Sequence, residues 1–242
     1  VGVKPEYGIY TTIIAGILVS IFGGSRFQIA GPTGAFIPIL LGVTMQYGYE
    51  NLLIAGFMAG VFLLLMGVLR LGSFIKFIPR SVTIGFTSGI AVIIFTGQIG
   101  NFLGLEDLEK HEYLVHTIQE IGAKITTFNP YALVISLLSL LLILITPKWF
   151  PKVPGSLIAI VISTIVSVLF FEGKVATIGS EFGGIPNTLP TISMPELSWD
   201  RILMLTQPAL IIAALGAIES LLSAVVADGM AGTRHNSNRE LV

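Results

Sequence analysis

A break in an otherwise apolar region of the chain reads Gln28-Ile29-Ala30-Gly31-Pro32-Thr33-Gly34-Ala35-Phe36. Gly31 and Gly34 tolerate unusual backbone dihedrals, and Pro32 disfavours helix in the residue before it. A helix over residues 33–47, with Pro32 at its first position, is then expected to begin inside a bilayer. Unpaired N–H groups at such a helix start carry partial positive charge and suit an anion. A packing kink accounts for the same residues, since glycine and proline are common in membrane helices.

The composition is that of a polytopic membrane protein. The chain has 242 residues, of which 53% are hydrophobic and 11% charged, whereas a soluble domain has about 25% charged residues. The formal net charge is −1, and because neither a basic patch nor a nucleic-acid-binding motif is present we expect no nucleic-acid partner. Cysteine is absent, which excludes disulfides and cysteine-based metal or nucleophile sites from this chain.

Seven segments are apolar enough to lie in a lipid bilayer, at residues 9–22, 33–47, 52–69, 81–103, 130–145, 154–171 and 207–227. The long connections 104–129 and 172–200 are polar, and the first is expected to hold a short surface helix at residues 113–121. Pro208 is expected near the start of the last segment. Because the chain starts without methionine and ends just after a polar tail, we expect a fragment with further spans on both sides.

Charge predicts the orientation of these segments. One set of short connections contains the basic residues Arg26, Arg70, Lys76, Arg80, Lys148, Lys152, Arg234 and Arg239, whereas most acidic residues lie in the other set. The positive-inside rule makes the basic side cytoplasmic. Loops 104–129 and 172–200 are therefore expected to be extracellular, in a protein of the bacterial cell membrane.

Glu219 is the one acidic residue at the middle of a predicted span, within Gly216-Ala217-Ile218-Glu219-Ser220-Leu221-Leu222-Ser223. Carboxylates at this depth are costly and are functional candidates by default. Glu219 can carry a proton, or it can bind Na⁺ as a metal site together with Ser223, which lies one helical turn further on the same face. A structural glutamate that holds two helices together by hydrogen bonds is the alternative.

Further candidates surround these two motifs. Gln28 can hydrogen-bond either a ligand or the backbone freed by the break, and Gly216 and Ala217 allow a close approach or serve ordinary helix packing. In the polar tail, Asn236, Ser237 or Asn238 is expected to cap a further helix. No nucleophile–base pair, phosphate-binding loop or dinucleotide motif is recognisable, so we expect neither an enzyme nor a cofactor beyond a coupling ion.

Four stretches in order resemble the SulP family of sulfate permeases and related anion transporters. Gly24-Ser25-Arg26 with the break at 28–36 resembles the third-span motif of that family. The sequence Ala217–Ala224, with Ala227-Asp228-Gly229-Met230 and Arg234–Leu241, resembles its eighth span and cytoplasmic exit. The opening Gly2–Tyr10 and the junction Phe77–Phe86 resemble its first-to-second span junction and the start of its fifth span.

The resemblance implies an all-α membrane protein built from two inverted seven-span repeats, usually with a cytoplasmic STAS domain and a homodimeric state. This chain would contribute residues 1–80 and 207–242 to the core (transport) domain and 81–171 to the gate (scaffold) domain, with 172–206 as an extracellular loop. Thr33, Gly34 and Ala35 would offer N–H groups to the anion. Glu219 and Ser223 would bind Na⁺, although glutamate in place of the family's aspartate leaves H⁺ equally open.

The function predicted on this basis is secondary active transport of a small inorganic oxyanion, sulfate or bicarbonate, driven by a H⁺ or Na⁺ gradient. A nucleobase–cation symporter of related architecture is the nearest alternative, with the acidic residue of span eight binding a neutral base. An uncoupled anion channel and a non-transporting membrane scaffold are further alternatives.

Overall fold

The structure is a computed structural model that describes residues 5–77, 79–109, 111–184 and 195–242. Every regular element in this part of the chain is helical, which confirms the predicted all-α fold. The described α-helices are α1 (Pro5–Phe22), α2 (Ile37–Tyr47), α3 (Tyr49–Val68), α4 (Arg80–Leu103), α5 (Leu114–Ala123), α6 (Pro130–Trp149), α7 (Gly155–Phe170), α8 (Ile178–Phe182), α9 (Trp199–Ala231) and α10 (Ser237–Glu240). Short 3₁₀ helices occur at Gly34–Phe36, Leu71–Phe77 and Ile125–Thr127.

The predicted membrane segments correspond to apolar helices. Five described helices are long and apolar enough to cross a membrane, namely α1, α3, Ser81–Leu103 of α4, α6 and α9. Two shorter apolar helices occupy Gly34–Tyr47 and Gly155–Phe170. Large apolar side chains of α1 such as Ile13, Ile14 and Ile17 are more than half exposed, as suits an element that faces lipid. The chain is thus an integral membrane protein.

Several predicted boundaries are wrong, and local chemistry explains the differences. α1 begins at Pro5 rather than at residue 9, because proline is well accommodated in the first turn of a helix. α9 begins at Trp199 rather than 207, since the Ser198 side chain caps it by accepting a hydrogen bond from Arg201 N. Pro208 therefore lies inside this helix and not at its start. The surface helix predicted at 113–121 is present as α5.

The chain divides into two compact units, Val1–Ala91 with Pro186–Val242, and Val92–Ile185. In the second unit α6 packs against α7, and the Ser139 and Ser163 hydroxyls are 2.7 Å apart in a hydrogen bond. The assignment of core and gate domains along the chain stays a prediction.

In the first unit α3 packs against α9. The buried positions of both helices include small residues with at most 2% exposure, Ala55, Ala59, Ala209 and Ala213. Small side chains allow two membrane helices to approach closely. This contact holds α9, which carries Glu219, against α3, the helix that comes after α2.

Candidate functional site

The break is a capped helix start. Thr33 has an extended backbone (φ −121°, ψ 146°) and caps the 3₁₀ turn Gly34–Phe36, after which α2 continues from Ile37. The Thr33 hydroxyl accepts a hydrogen bond from Ala35 N at 3.1 Å. The prediction is therefore right about the place but wrong about the register: Pro32 precedes the cap instead of opening the helix, because threonine supplies a capping oxygen that proline lacks.

Capping changes which N–H groups are free at this helix start. Ala35 N–H is engaged by the Thr33 hydroxyl, and Phe36 N–H donates to the Thr33 carbonyl at 3.3 Å. Within the described residues no hydrogen bond engages the N–H groups of Thr33 and Gly34. Two of the three predicted anion donors thus keep a free N–H, whereas that of Ala35, which is buried, is used inside the turn.

Glu219 lies directly against this helix start. The Thr33 hydroxyl donates a hydrogen bond of 2.7 Å to Glu219 Oε1, across a separation of 186 residues. The second carboxylate oxygen, Oε2, is buried and has no hydrogen-bond partner in the part of the chain that the structure describes. Because a buried, unpaired carboxylate oxygen is costly, this atom is suited to accept a proton or to bind a cation.

Gln28, at the start of the break, hydrogen-bonds α9, the helix that carries Glu219. Its Nε2 lies 3.2 Å from the Ser220 carbonyl oxygen and 3.3 Å from Ser220 Oγ. Its Oε1 is buried and, among the described residues, has no partner. Gln28 therefore hydrogen-bonds α9 rather than the backbone of its own segment, and it leaves an acceptor oxygen available for a ligand.

The remaining predicted residues, Gly216, Ala217 and Ser223, differ in their relation to the contact between Thr33 and Glu219. A Cβ placed on Gly216 would lie 3.5 Å from Leu63 Cδ1 and 3.7 Å from Phe36 Cζ, so Gly216 borders the first turn after the break. Ala217 is packed in an apolar cluster with Leu221 and Leu241. Ser223 is exposed and makes no hydrogen bond to Glu219. The binding roles of all these residues stay predictions.

A polar cavity of about 660 Å³ opens beside Gln28. Among the described residues, its lining contains three arginines, Arg26, Arg234 and Arg239, and no acidic side chain. Such a charge distribution favours small anions over cations. These arginines belong to the connections that the positive-inside rule predicts to be cytoplasmic.

Sequence reasoning missed the contacts of the polar tail after α9. Asn236 caps α10, accepting from Asn238 N and Arg239 N, as one of the predicted capping residues. The carboxylate of Glu240, by contrast, accepts from Gly24 N and Ser25 N, both at 2.8 Å, and from Ser220 Oγ at 3.2 Å. No local pattern could have indicated this, because Glu240 and Gly24 are 216 residues apart.

A second cluster that sequence reasoning missed closes the turn after α9. Asp228 Oδ2 lies 2.6 Å from His235 Nδ1 and accepts from His235 N, while Ser237 Oγ lies 2.9 Å from His235 Nε2. The side chains of Ser237, His235 and Asp228 are connected in the same order as those of a Ser–His–Asp catalytic triad. Asp228 Oδ1 also accepts from the Thr233 hydroxyl at 2.8 Å, so both carboxylate oxygens are engaged in fixing the turn.

Known proteins similar to this chain bear the names of anion transporters. "Putative sulfate transporter YvdB" of Bacillus subtilis is 57% identical over 241 residues, which are 100% of this chain and 46% of that protein. Bicarbonate transporter BicA of Synechocystis sp. is 31% identical over 244 residues, covering 97% of this chain and 42% of that protein. The chain thus spans less than half the length of these relatives.

A solved structure shares the fold. The transmembrane domain of a cyanobacterium bicarbonate transporter BicA matches with a TM-score of 0.83 and 29% identity, covering 100% of this chain and 62% of that one. At the level of families, residues 1–242 match the sulfate permease family. The resemblance predicted from four motifs is confirmed over the whole chain, which belongs to the sulfate permease family.

Proposed function

We propose that the protein to which this chain belongs is a secondary active transporter of a small inorganic oxyanion, sulfate or bicarbonate. Membership of the sulfate permease family supports anion transport, and two relatives bear the names of a sulfate and a bicarbonate transporter. These relatives are transporters, which favours transport over enzymatic catalysis. The proposed setting is the bacterial cell membrane, with loops 104–129 and 172–200 outside and a homodimer as the assembly.

One observation carries the proposal: the hydrogen bond between Thr33 and Glu219 joins a helix start to a carboxylate. In the proposed site the oxyanion accepts hydrogen bonds from the free N–H groups of Thr33 and Gly34, where the helix carries partial positive charge. The unpartnered Oε1 of Gln28, which borders the basic cavity, can accept a hydrogen bond from the hydroxyl of bicarbonate, whereas sulfate has no such donor. The three arginines of that cavity would raise the local concentration of anions on the cytoplasmic side.

The same hydrogen bond supports coupling to a cation. An ionised Glu219 near the helix start would repel an anion, and a proton or Na⁺ at the carboxylate would remove that repulsion. The unpartnered Oε2 of Glu219 is the atom proposed to receive the cation, with the Ser223 hydroxyl on the same helix face as a second oxygen ligand for Na⁺. Movement of the core domain against the gate domain would then expose the loaded site alternately to each side.

The test is uptake by the complete protein in proteoliposomes. Labelled sulfate, labelled bicarbonate and labelled uracil are offered in parallel, each with an inward Na⁺ gradient, an inward H⁺ gradient or none. The proposal predicts accumulation of one anion, stimulated by one of the two gradients. Accumulation of uracil alone would support the nucleobase symporter, and anion flux that ignores both gradients would show an uncoupled channel.

A further inference from the structure

Residues 236–242, after α9, form a docked segment that we call the exit segment. Asn236 N donates to the Gly24 carbonyl at 3.1 Å, and Arg239 Nε donates to the Phe22 carbonyl at 3.1 Å. Leu241 is 5% exposed and packs with Ala217 and Leu221 of α9. The exit segment therefore contacts both the turn that follows α1 and the helix that carries Glu219.

Three glycines from different elements make room for the exit segment. A Cβ on Gly24 would collide with the Asn236 carbonyl oxygen, and one on Gly72 with the Ser237 carbonyl oxygen. A Cβ on Gly67 would come within 2.8 Å of the Asn238 carbonyl oxygen. Distances below 3.0 Å are incompatible with a side chain, so this close docking requires glycine at all three positions.

Glu240 is the charged centre of this contact. Oε2 accepts the N–H groups of Gly24 and Ser25, and Oε1 accepts the hydroxyl of Ser220. Hydrogen bonds to an ionised carboxylate are about twice as strong as neutral ones. One side chain thus fixes the turn before the break to α9.

Ser220 connects Glu240 to the proposed site, because it hydrogen-bonds both Glu240 and Gln28. While its hydroxyl donates to Glu240, its carbonyl oxygen and Oγ accept from Gln28 Nε2. The residue before Ser220 is Glu219, which accepts from Thr33. Gln28 and Thr33 therefore meet two adjacent residues of α9, and Glu240 anchors the start of the segment on which both lie.

We propose that Glu240 is a positioning residue for transport, which holds Gln28 and Thr33 against Ser220 and Glu219 from the cytoplasmic exit. This inference rests on the proposed function, since it assigns Glu240 a role in that same site. Without this carboxylate, residues 24–33 keep the hydrogen bond from Thr33 to Glu219 and the contacts of Gln28 with Ser220 and of Gly24 with Asn236. The start of the segment is then less firmly held, and the anion and cation groups lose part of their relative placement.

The first test is uptake kinetics of the complete protein in proteoliposomes, for Glu240→Ala, Glu240→Gln and the matched control Glu172→Ala, an exposed glutamate in the turn after α7. Glu240→Ala is expected to raise the KM for the transported anion about fivefold, with the maximal rate per folded protein within about twofold of wild type. Glu240→Gln keeps one acceptor oxygen and should raise KM less. An unchanged KM in both variants, or a lower maximal rate alone, would overturn the positioning role.

Hydrogen exchange provides a readout that does not need transport. Glu240→Ala should speed amide exchange in peptides covering residues 24–36 while peptides within 130–170 exchange as in wild type. Faster exchange everywhere, or no change at 24–36, would contradict the inference. If wild type transports neither anion, the proposed function fails, and exchange alone then decides whether Glu240 holds the segment that bears Gln28 and Thr33.

Discussion

At the scale of single residues, Thr33 links the two halves of the proposed site. Its hydroxyl accepts from Ala35 N–H and donates to Glu219 Oε1, so one oxygen both starts the helix and orients the carboxylate. The sequence predicts Thr33 as an N–H donor only. The role of its side chain depends on α9, because the hydroxyl donates to Glu219 of that helix.

The predicted effect of losing this hydroxyl is large and specific. Thr33→Val keeps the shape but removes both hydrogen bonds, one of them to a carboxylate, for which a loss of about 1.5–3 kcal/mol is typical. Since about 1.4 kcal/mol corresponds to a factor of ten, we expect KM for the transported anion to rise by about tenfold or more. Thr33→Ser, which retains the hydroxyl, should stay within about threefold.

Uptake in proteoliposomes measures both variants, with Thr11→Val as the control. Thr11 is an exposed threonine whose hydroxyl bonds only the Tyr7 carbonyl of its own helix. If Thr33→Val transports with the KM of Thr33→Ser, the hydroxyl has no part in the site.

Residue types also explain what could be predicted. A helix-breaking motif and a mid-span carboxylate are conspicuous against an apolar background, which is why residues 28–36 and Glu219 were found from the sequence. Glu240 stands in a polar tail where any charge is unremarkable. Two of its three partners are the backbone N–H groups of Gly24 and Ser25. Every sequence contains such groups, so no pattern marks Glu240.

At the scale of elements, α9 depends on close packing against α3. Ala55 and Ala213 are both fully buried at 0% exposure, and they belong to one hydrophobic core cluster. A larger side chain at such a position forces neighbouring side chains or backbone to shift, at a cost of about 1–3 kcal/mol.

Ala213→Leu is therefore expected to lower the thermal unfolding temperature of the complete protein in detergent. Ala231→Leu is the matched control, because Ala231 is the exposed last residue of the same helix. We expect its unfolding temperature to stay near that of wild type. Equal unfolding temperatures for the two variants would contradict close packing between α3 and α9.

Helix existence was easier to predict than helix length. Hydropathy predicts each apolar helix found in the described part of the chain, whereas the caps decide where the helices begin and end. Ser198 extends α9 towards its N-terminus, and Gly232, in the left-handed conformation with φ 68°, ends it. Hydrophobicity contains no information about these polar ends, so the predicted range 207–227 was too short.

At the scale of the whole molecule, charge predicts which side of the membrane each loop faces. The chain contains no cysteine, so a single cysteine placed in it is the one thiol among residues 1–242. Glu112→Cys, in loop 104–129, should react with a membrane-impermeant maleimide in intact cells. Lys152→Cys, between α6 and α7, should react only after permeabilisation, and both positions are exposed. The reverse labelling pattern would show that the orientation is inverted.

The central claim is that Glu219 couples anion movement to a cation gradient. The most direct test is the ratio of anion uptake with and without the driving gradient, measured in proteoliposomes for wild type, Glu219→Gln and the control Glu172→Gln. Glutamine cannot be ionised and neither takes up the coupling proton nor holds Na⁺ by charge. We predict a ratio well above one for wild type and the control, and close to one for Glu219→Gln. A Glu219→Gln protein that keeps the full gradient stimulation of wild type would contradict the account.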